Sequence, residues 1–485
     1  MILLSIGCSL LVGGAFLHAE DSYSYDYWGE LQHGPDPYRV KNVLEYKDIS
    51  PDMPLRDPRG LFIRGDIAWI CDTGNKRILE IFIAGEENGT TRRVIDSFIN
   101  KNGVEEAFES PTDLYVDDKG AMYICDTDAG RVLKLDRNRR FMLEFTKPTD
   151  PTFDQNLSFM PMRVVADRLG RAFVLSKNIN RGLIKYENDA SFIGFFGASE
   201  VSFNWTDYVW KLISTRAQRE QMASFVPTEY ENITVDADGF IYATTMTFET
   251  WKLLGDQAKP IRRLNALGND ILIKNGEFPP IGDLTWGVAA GADGPSKLND
   301  ITVFDSDRYV ALDETRARLF AYDAQGNLLF AFGGRGNSNG RFRKPVALDH
   351  RGRDLYIMDA AEGTVTILTP TEYGNAIYDA LDEYNRGDYD ASAARWQDVL
   401  RLNGNYDLAY IGLGKAYFRE ENYKKAMEYF ELKRNEEYYA KAFALYRKDW
   451  VEDNIVIIFV IAFLLLAGPP LVGHIRRVIR EVEHS

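Results

Sequence analysis

The chain has 485 residues, a formal net charge of −15 and 45% hydrophobic residues. This length exceeds one ordinary domain, and the acidic balance disfavours nucleic-acid binding, which needs a basic surface to displace counterions from phosphate. Only five histidines and three cysteines occur. A histidine-rich zinc site, a Ser-His-Asp triad and a disulfide framework are therefore all disfavoured.

The chain begins with an uncharged apolar run that extends to Ala19. Such a run predicts a secretory signal peptide over residues 1–19, with cleavage after Ala19. No Lys or Arg precedes the run, so an uncleaved N-terminal anchor over the same residues is the alternative.

A short apolar strand, a turn and a second strand rich in aromatic or β-branched residues recur six times. The pairs are Leu61–Ile63 with Ile67–Cys71, Leu114–Val116 with Met122–Cys125, Val164–Ala166 with Ala172–Leu175, Ile233–Val235 with Ile241–Thr244, Ile301–Val303 with Tyr309–Leu312, and Val346–Leu348 with Leu355–Met358. A supersecondary unit repeated at this spacing predicts a mainly β fold, a six-bladed β-propeller over residues 38–370. The sixth unit lacks an outer strand, and we expect residues 38–46 to supply it and close the ring.

Polar turns follow these strands in two recurring patterns. Asp-x-x-Gly turns are read at 117–120, 167–170, 236–239 and 349–352, and a Cys-Asp-Thr run ending in an Arg-aliphatic pair follows the second strand at 71–78 and 125–132. These units resemble NHL repeats, which form six-bladed propellers. The resemblance covers roughly residues 58–370 and is weakest in blades three and four.

Polar residues stand just before several inner strands, where we expect them to face the mouth of the central channel. They are Asp113, Arg163, Asn232, Asn299 and Asp300. These five side chains are candidate ligand-binding residues, but their types favour the alternative, a structural polar ring that satisfies backbone groups and water.

NHL propellers are similar in architecture to gluconolactonase- and regucalcin-like enzymes. That resemblance implies an alternative, a lactonase-like hydrolase in which Asp113, Asn232 and Asp300 hold Ca²⁺ or another divalent cation. Two departures weaken it: Gly60 stands where those enzymes place a metal-binding Glu, and the fixed charge of Arg163 can neutralise a carboxylate without a metal.

Two regions outside the repeats have helical periodicity. Residues 199–225 predict a helical insertion that either packs on the blades or serves as a lid or partner-binding segment. In residues 371–450, the run Tyr410-x-x-Leu413-Gly414-x-x-Tyr417 with Ala426 and Phe430 resembles a tetratricopeptide repeat, preceded by a looser copy. That resemblance implies a groove for protein partners, with Asn375, Asp379, Lys415 and Arg419 as its polar lining; a spacer role is equally open.

Residues 455–473 form a long uncharged apolar segment, which predicts a transmembrane helix. Arg476, Arg477 and Arg480 follow it, so the positive-inside rule places residues 474–485 in the cytoplasm. The sequence therefore predicts a membrane-tethered, extracytoplasmic binding or scaffold protein of a bacterial cell envelope. Its expected partners are membrane or envelope proteins, such as those of a transport complex.

Overall fold

The structure is a computed structural model that describes residues 22–26, 28–85, 89–197, 230–245, 259–274, 279–283 and 294–483. The chain divides into two compact units. The first is a β-propeller, and the second is helical. The predicted N-terminal segment (1–19) and helical insertion (199–225) lie outside the described residues.

Six antiparallel sheets form the blades of the propeller. The strands of blades one to three, from the inner strand outwards, are Gly60–Arg64, Ile67–Asp72, Arg77–Phe82 and Thr91–Ile95; Pro111–Val116, Met122–Asp126, Arg131–Leu135 and Phe141–Phe145; and Pro161–Ala166, Ala172–Ser176, Leu183–Tyr186 and Phe192–Phe196. A two-stranded hairpin, Ser97–Ile99 with Glu105–Ala107, lies between blades one and two in the chain.

The second half of the propeller repeats this order. The strands of blades four to six are Asn232–Val235, Ile241–Thr244 and Ile261–Leu264; Leu298–Val303, Tyr309–Asp313, Arg318–Tyr322 and Leu328–Gly333; and Pro345–Arg351, Asp354–Asp359, Thr364–Pro370 and Tyr38–Leu44. Two short strands, Tyr23–Tyr25 and Leu31–His33, precede the propeller in sequence, and Tyr23 pairs with Ala331 at the outer edge of blade five. The predicted six-bladed propeller is confirmed.

Contacts between the inner strands run around a closed ring. Each inner strand contacts the inner strand of the next blade, and that of blade six contacts that of blade one. The strand Tyr38–Leu44 pairs antiparallel with Thr364–Pro370, so the outer edge of blade six is built from the start of the propeller chain. A closed ring leaves no open sheet edge between its first and last blades.

The hydrophobic core lies between neighbouring blades, because both faces of each second strand are buried. Met122–Asp126 is buried at every position. Its last residue, Asp126, is fully buried, accepts hydrogen bonds from Glu109 N and Ser110 N, and pairs with Arg131. Equivalent aspartates end the second strands of three further blades: Asp72, Asp313 and Asp359. The Asp of the repeated motif is therefore structural.

The helical unit contains a succession of helices joined by short connections. The short helix α1 (Tyr46–Ile49) belongs to the propeller unit. The helices of the helical unit are α2 (Glu372–Arg386), α3 (Tyr389–Leu402), α4 (Asp407–Arg419), α5 (Tyr423–Leu432), α6 (Glu436–Asp453) and α7 (Ile455–Glu483). A Cβ on Gly412 would lie 2.3 Å from the Trp396 ring, and one on Gly414 would lie 2.5 Å from Phe430. These glycines therefore allow α4 to approach α3 and α5 closely. The helical C-terminal region is confirmed, and its identity as tetratricopeptide repeats stays a prediction.

Helix α7 contains the apolar segment. The most apolar 18-residue window of the segment Ile455–Arg480 has a mean hydropathy of 2.9, and none of that window is buried in the protein. Among the described residues, it is the one helix long and apolar enough to cross a membrane.

Candidate ligand-binding cavity

The inner strands of the propeller enclose a cavity of about 1050 Å³. It extends from the polar residues near the start of these strands to the turns that follow them, including the turns at Asp117 and Asp167. In the first of these turns, Asp117 Oδ1 accepts hydrogen bonds from Lys119 N and Ala121 N, as the Asp-x-x-Gly pattern predicts. The cavity therefore has a floor of polar side chains and a rim of turns.

The floor is formed by four of the predicted site residues, which occupy equivalent positions in blades two to five. They are Asp113, Arg163, Asn232 and Asp300, all inside their inner strands rather than before them. The structure brings these four together in the lining of one cavity, where their side chains are largely buried.

The two floor aspartates each bridge to the backbone of the next blade. Asp113 Oδ2 accepts a hydrogen bond from Val164 N at 3.0 Å, and Asp300 Oδ2 accepts one from Leu348 N at 2.7 Å. Carboxylates are strong acceptors for such backbone N–H groups, which would otherwise be unsatisfied on the channel side of an inner strand. Both aspartates therefore join neighbouring blades along the channel.

Asn232 takes part in the same network in blade four. Its Nδ2 donates to Asp300 Oδ1 at 2.6 Å, and its Oδ1 accepts from Ile233 N. Asn299, beside Asp300, instead donates to Pro345 O at 3.1 Å. Asn299 therefore contacts the start of blade six and does not line the cavity.

Arg163 is the only cation of the floor among the described lining residues. Its side chain is 13% exposed, its Nη1 lies 3.7 Å from Asp113 Oδ1, and the same atom donates to Arg59 O at 3.4 Å. Both separations are long for strong pairing. Its charge stabilises the two buried aspartates mainly through the low-dielectric interior rather than through a direct hydrogen bond.

Burial dominates the protonation equilibria of the floor. Desolvation raises the pKa of Asp113 to about 6 and that of Asp300 to about 7, against the lowering effects of Arg163 and of the backbone hydrogen bonds. The same burial raises the pKa of the Cys71 and Cys125 thiols, which lie behind the floor in blades one and two. Both thiols are fully buried and unpaired, so they are inert core residues.

Gly60 occupies the floor position of blade one for a steric reason. A Cβ built there would lie 2.8 Å from Thr112 O, 3.1 Å from Asp113 Cα and 3.2 Å from Cys71 Sγ. A glutamate at this position would require the inner strands of blades one and two to move apart. The departure of Gly60 from the lactonase-like pattern therefore follows from close packing of these two strands.

The implied calcium site does not match the arrangement of the floor. Both oxygens of Asp300, one oxygen of Asp113 and the oxygen of Asn232 already accept hydrogen bonds from the protein. Over the described part of the chain, no group of three or more His, Cys, Asp or Glu side chains has metal-binding geometry. The floor oxygens therefore already serve in the network that joins the blades, and the metal-dependent alternative stays a prediction.

The cavity wall contains functional candidates that the sequence patterns did not identify. Asp349 and His350 line the cavity, although the sequence assigned them to an Asp-x-x-Gly turn. That assignment is wrong: the inner strand of blade six continues through Arg351, and Asp349 pairs with Tyr356. The hairpin turn comes later, at Gly352, whose φ is +60°. The apolar run of this strand ends at Leu348, so hydrophobic periodicity did not indicate that the strand continues to Arg351.

The predicted partner-binding residues lie within the helical unit. Lys415 and Arg419 are on α4; Arg419 Nε donates to Tyr384 Oη at 3.3 Å, and Lys415 Nζ lies 4.9 Å from the centre of the Tyr438 ring. Hydrogen bonding to Tyr384 is the main cause that raises the pKa of Arg419. Lys415 and Arg419 thus contact tyrosines on the two flanking helices α2 and α6. Asn375 and Asp379 lie on α2 and are partly buried.

Comparisons with known proteins add a fold-level likeness. No protein-family model and no curated protein matches the chain. Among solved structures, virginiamycin B lyase from Staphylococcus aureus aligns at 10% identity and a TM-score of 0.41, covering 68% of this chain and 99% of the lyase. BamB from Moraxella catarrhalis aligns at 12% identity and a TM-score of 0.32, covering 66% of this chain and 84% of BamB.

A third similar structure is the extracellular domain of a hybrid two-component system from B. thetaiotaomicron. It aligns at 12% identity and a TM-score of 0.36, covering 68% of this chain and 43% of that one. Likeness at these values carries no information about activity. The assignment of the chain to six-bladed propellers rests on its own sheets.

Proposed function

We propose that the protein is a membrane-tethered binding protein whose propeller and helical unit lie outside the cytoplasm and whose helical unit engages protein partners at the cell envelope. The apolar helix α7 is the observation that carries this proposal. Its apolar side chains, such as Leu465 and Leu466, are 71% and 79% exposed. Exposed apolar surface on this scale is unstable in water and is stabilised by a hydrocarbon core.

The surface around Lys415 and Arg419 supports partner binding next to that helix. Arg419 is exposed and lies near three tyrosines, Tyr384, Tyr389 and Tyr438. Arg and Tyr are enriched in protein–protein interfaces, because both combine a large contact area with directional hydrogen bonding. The chain as a whole is acidic, and the local positive charge of Lys415 and Arg419 is what suits this surface to an acidic protein segment.

The test is co-purification of partners from solubilised native membranes with the variant Lys415→Glu/Arg419→Glu. The double substitution removes, among other contacts, the cation–π contact of Lys415 with Tyr438 and the hydrogen bond of Arg419 to Tyr384, and contacts of this kind near the surface contribute about 1 kcal/mol or less each. The helices should therefore stay folded, whereas partner recovery should fall several-fold because the charge of the surface is inverted.

A matched control is the variant Arg395→Glu/Lys424→Glu. Both residues are exposed on α3 and α5, away from the contacts of Arg419 and Lys415 described above. It changes the net charge by the same amount and should leave recovery unchanged. Equal loss in both variants would indicate a general charge effect. Unchanged recovery of partners with the α4 variant would indicate that the helical unit acts only as a spacer.

A further inference from the structure

The wall of the propeller cavity differs between its two halves. At the level above the floor, blades one to three present Phe62, Tyr115 and Val165, whereas blades four to six present Thr234, Thr302 and Asp349. These residues follow the floor positions by two along each inner strand, and successive alternate residues share one face of a strand. The cavity therefore has an apolar, aromatic half and a polar half.

Charge is distributed with the same asymmetry. Among the described residues that line the cavity above the floor, every Lys and Arg belongs to blades one to three: Arg64, Lys119, Lys134, Arg137 and Arg168. Four aspartates of the same blades offset them: Asp117, Asp118, Asp136 and Asp167. Blades four to six contribute Asp236, Asp305 and Asp349 to the described lining, with no Lys or Arg. The polar half is thus the acidic half.

Asp349 is the acidic group placed to meet a ligand. The Asp349 side chain is 18% exposed. Asp236 differs from it in having a guanidinium partner, since Arg263 Nη2 lies 3.1 Å from Asp236 Oδ2. Within the described structure, the basic side chain that pairs with Asp349 is His350, whose Nδ1 lies 3.5 Å from Asp349 Oδ1. Its Oδ2 accepts from Ile63 N at 2.6 Å, and its Oδ1 accepts from His350 N and Thr302 Oγ1.

These hydrogen bonds fix the carboxylate without supplying a permanent cation. A carboxylate oxygen can accept more than one hydrogen bond, so Asp349 retains capacity for a further donor. A partly buried carboxylate without a Lys or Arg partner attracts a cationic group, because the electrostatic interaction is strengthened in a site with little water.

An aromatic surface lies directly beside this carboxylate. Asp349 binds the backbone of Ile63, the residue after Phe62, and the Phe62 and Tyr115 ring centres are 5.3 Å apart. Arg64 lies over both rings at 5.8 Å and 5.6 Å, and it is paired with Asp118 at 2.7 Å. The two rings and Asp349 thus line the same cavity from blades six, one and two, with the Arg64 guanidinium over the rings.

We propose that this cavity binds an amphipathic organic cation, whose ammonium group pairs with Asp349 and whose aromatic or aliphatic part lies against Phe62 and Tyr115. The volume of about 1050 Å³ is just above the roughly 300–1000 Å³ typical of small-molecule sites. This role is separate from partner binding by the helical unit, and neither proposal depends on the other.

The experiment uses full-length protein in nanodiscs and isothermal titration calorimetry, with empty nanodiscs as the reference. Three probes share one indole group and differ in charge: tryptamine is cationic, N-acetyltryptamine is neutral and indole-3-acetate is anionic. Tryptamine should bind at least tenfold more tightly than either of the others, because only its ammonium group can pair with Asp349.

Substitution locates the site. Asp349→Asn should weaken tryptamine binding at least tenfold and reduce the preference for tryptamine over N-acetyltryptamine. Asp189→Asn is the control, since Asp189 is an exposed turn residue that does not line the cavity and accepts from Ser191 N. It should bind tryptamine like the unmodified protein.

Several results would overturn the proposal. They are absence of tryptamine binding, equal binding of the neutral or anionic probe, and unchanged binding in a folded Asp349→Asn variant. Should Asp349→Asn fail to fold, as judged by circular dichroism, the comparison of the three probes on the unmodified protein decides the proposal without it.

Discussion

At the scale of single residues, the polar floor of the propeller consists of side chains that hold the blades together. Asp113 and Asp300 both accept a backbone N–H from the next blade, and Asn232 completes the network by donating to Asp300. Residue type alone left a ligand site, a metal site and a structural polar ring open. The contacts favour a structural role, since removal of one partner would leave a buried polar group unsatisfied.

The raised pKa of Asp300 predicts how the stability of the propeller changes with pH. The folded protein holds a proton on this carboxyl up to about pH 7, whereas the unfolded chain loses it near pH 3.8. Stability from this group is therefore fully present below about pH 4 and is lost as pH rises through about 7. Asp113, with a pKa of about 6, contributes in the same direction over a narrower range.

The variant Asp300→Asn tests this linkage, because an amide does not titrate. Between pH 4 and pH 8, the free energy of unfolding of the unmodified protein should include a decrease of about 2–4 kcal/mol from Asp300. Denaturant titrations across this range should show a flatter pH dependence for Asp300→Asn. An identical slope in both proteins would show that Asp300 is ionised throughout. Asp189→Asn is the control and should retain the original slope.

At the scale of elements, the outer edge of blade six depends on a strand that is distant in sequence. Tyr38–Leu44 pairs with Thr364–Pro370, and its last residue, Leu44, is 3% exposed in a core that includes Ile81 and Val365. Backbone pairing protects the edge, while the Leu44 side chain joins the closing strand to the core.

Leu44→Ala should therefore destabilise the propeller by about 2–4 kcal/mol, as expected for truncation of a buried leucine. Lys41→Ala is the matched control in the same strand, since Lys41 is exposed and its contact is a surface ion pair with Asp354. The control should change stability by less than about 1 kcal/mol. Thermal and denaturant unfolding measure both, and equal small effects would mean that this strand contributes little to closure.

At the scale of the whole molecule, the repeated strand pairs were sufficient to predict six blades, and helical periodicity was sufficient to predict a helical C-terminal region. The apolar second strands, such as Met122–Asp126, carry this signal because burial on both faces restricts their composition. The cavity was harder to predict. Asp349 follows an apolar run and stands three residues before Gly352, so the local sequence favoured a turn. Its pairing with Tyr356 shows that it belongs to the inner strand of blade six, and this places it in the cavity wall.

The depth of the polar floor also depends on packing between distant parts of the chain. Asp113 and Asp300 are 187 positions apart in sequence (300 − 113). Each of them accepts a hydrogen bond from a backbone N–H of the next blade, and this bond defines its role. Sequence reasoning identified these residue types and their equivalence within the repeat. It could not determine that close contact of two inner strands excludes a side chain at Gly60.

Topology is the central claim of this account, and site-specific cysteine labelling in intact cells tests it most directly. Single cysteines are introduced at Asp189, an exposed residue of the propeller, and at Ser485, after changing Cys8 to Ser. Cys71 and Cys125 are fully buried and should not react. A membrane-impermeant maleimide should label position 189 in intact cells, and position 485 only after permeabilisation. Labelling of position 485 from outside, or failure to label position 189 until the cells are opened, would contradict an extracytoplasmic propeller tethered by α7.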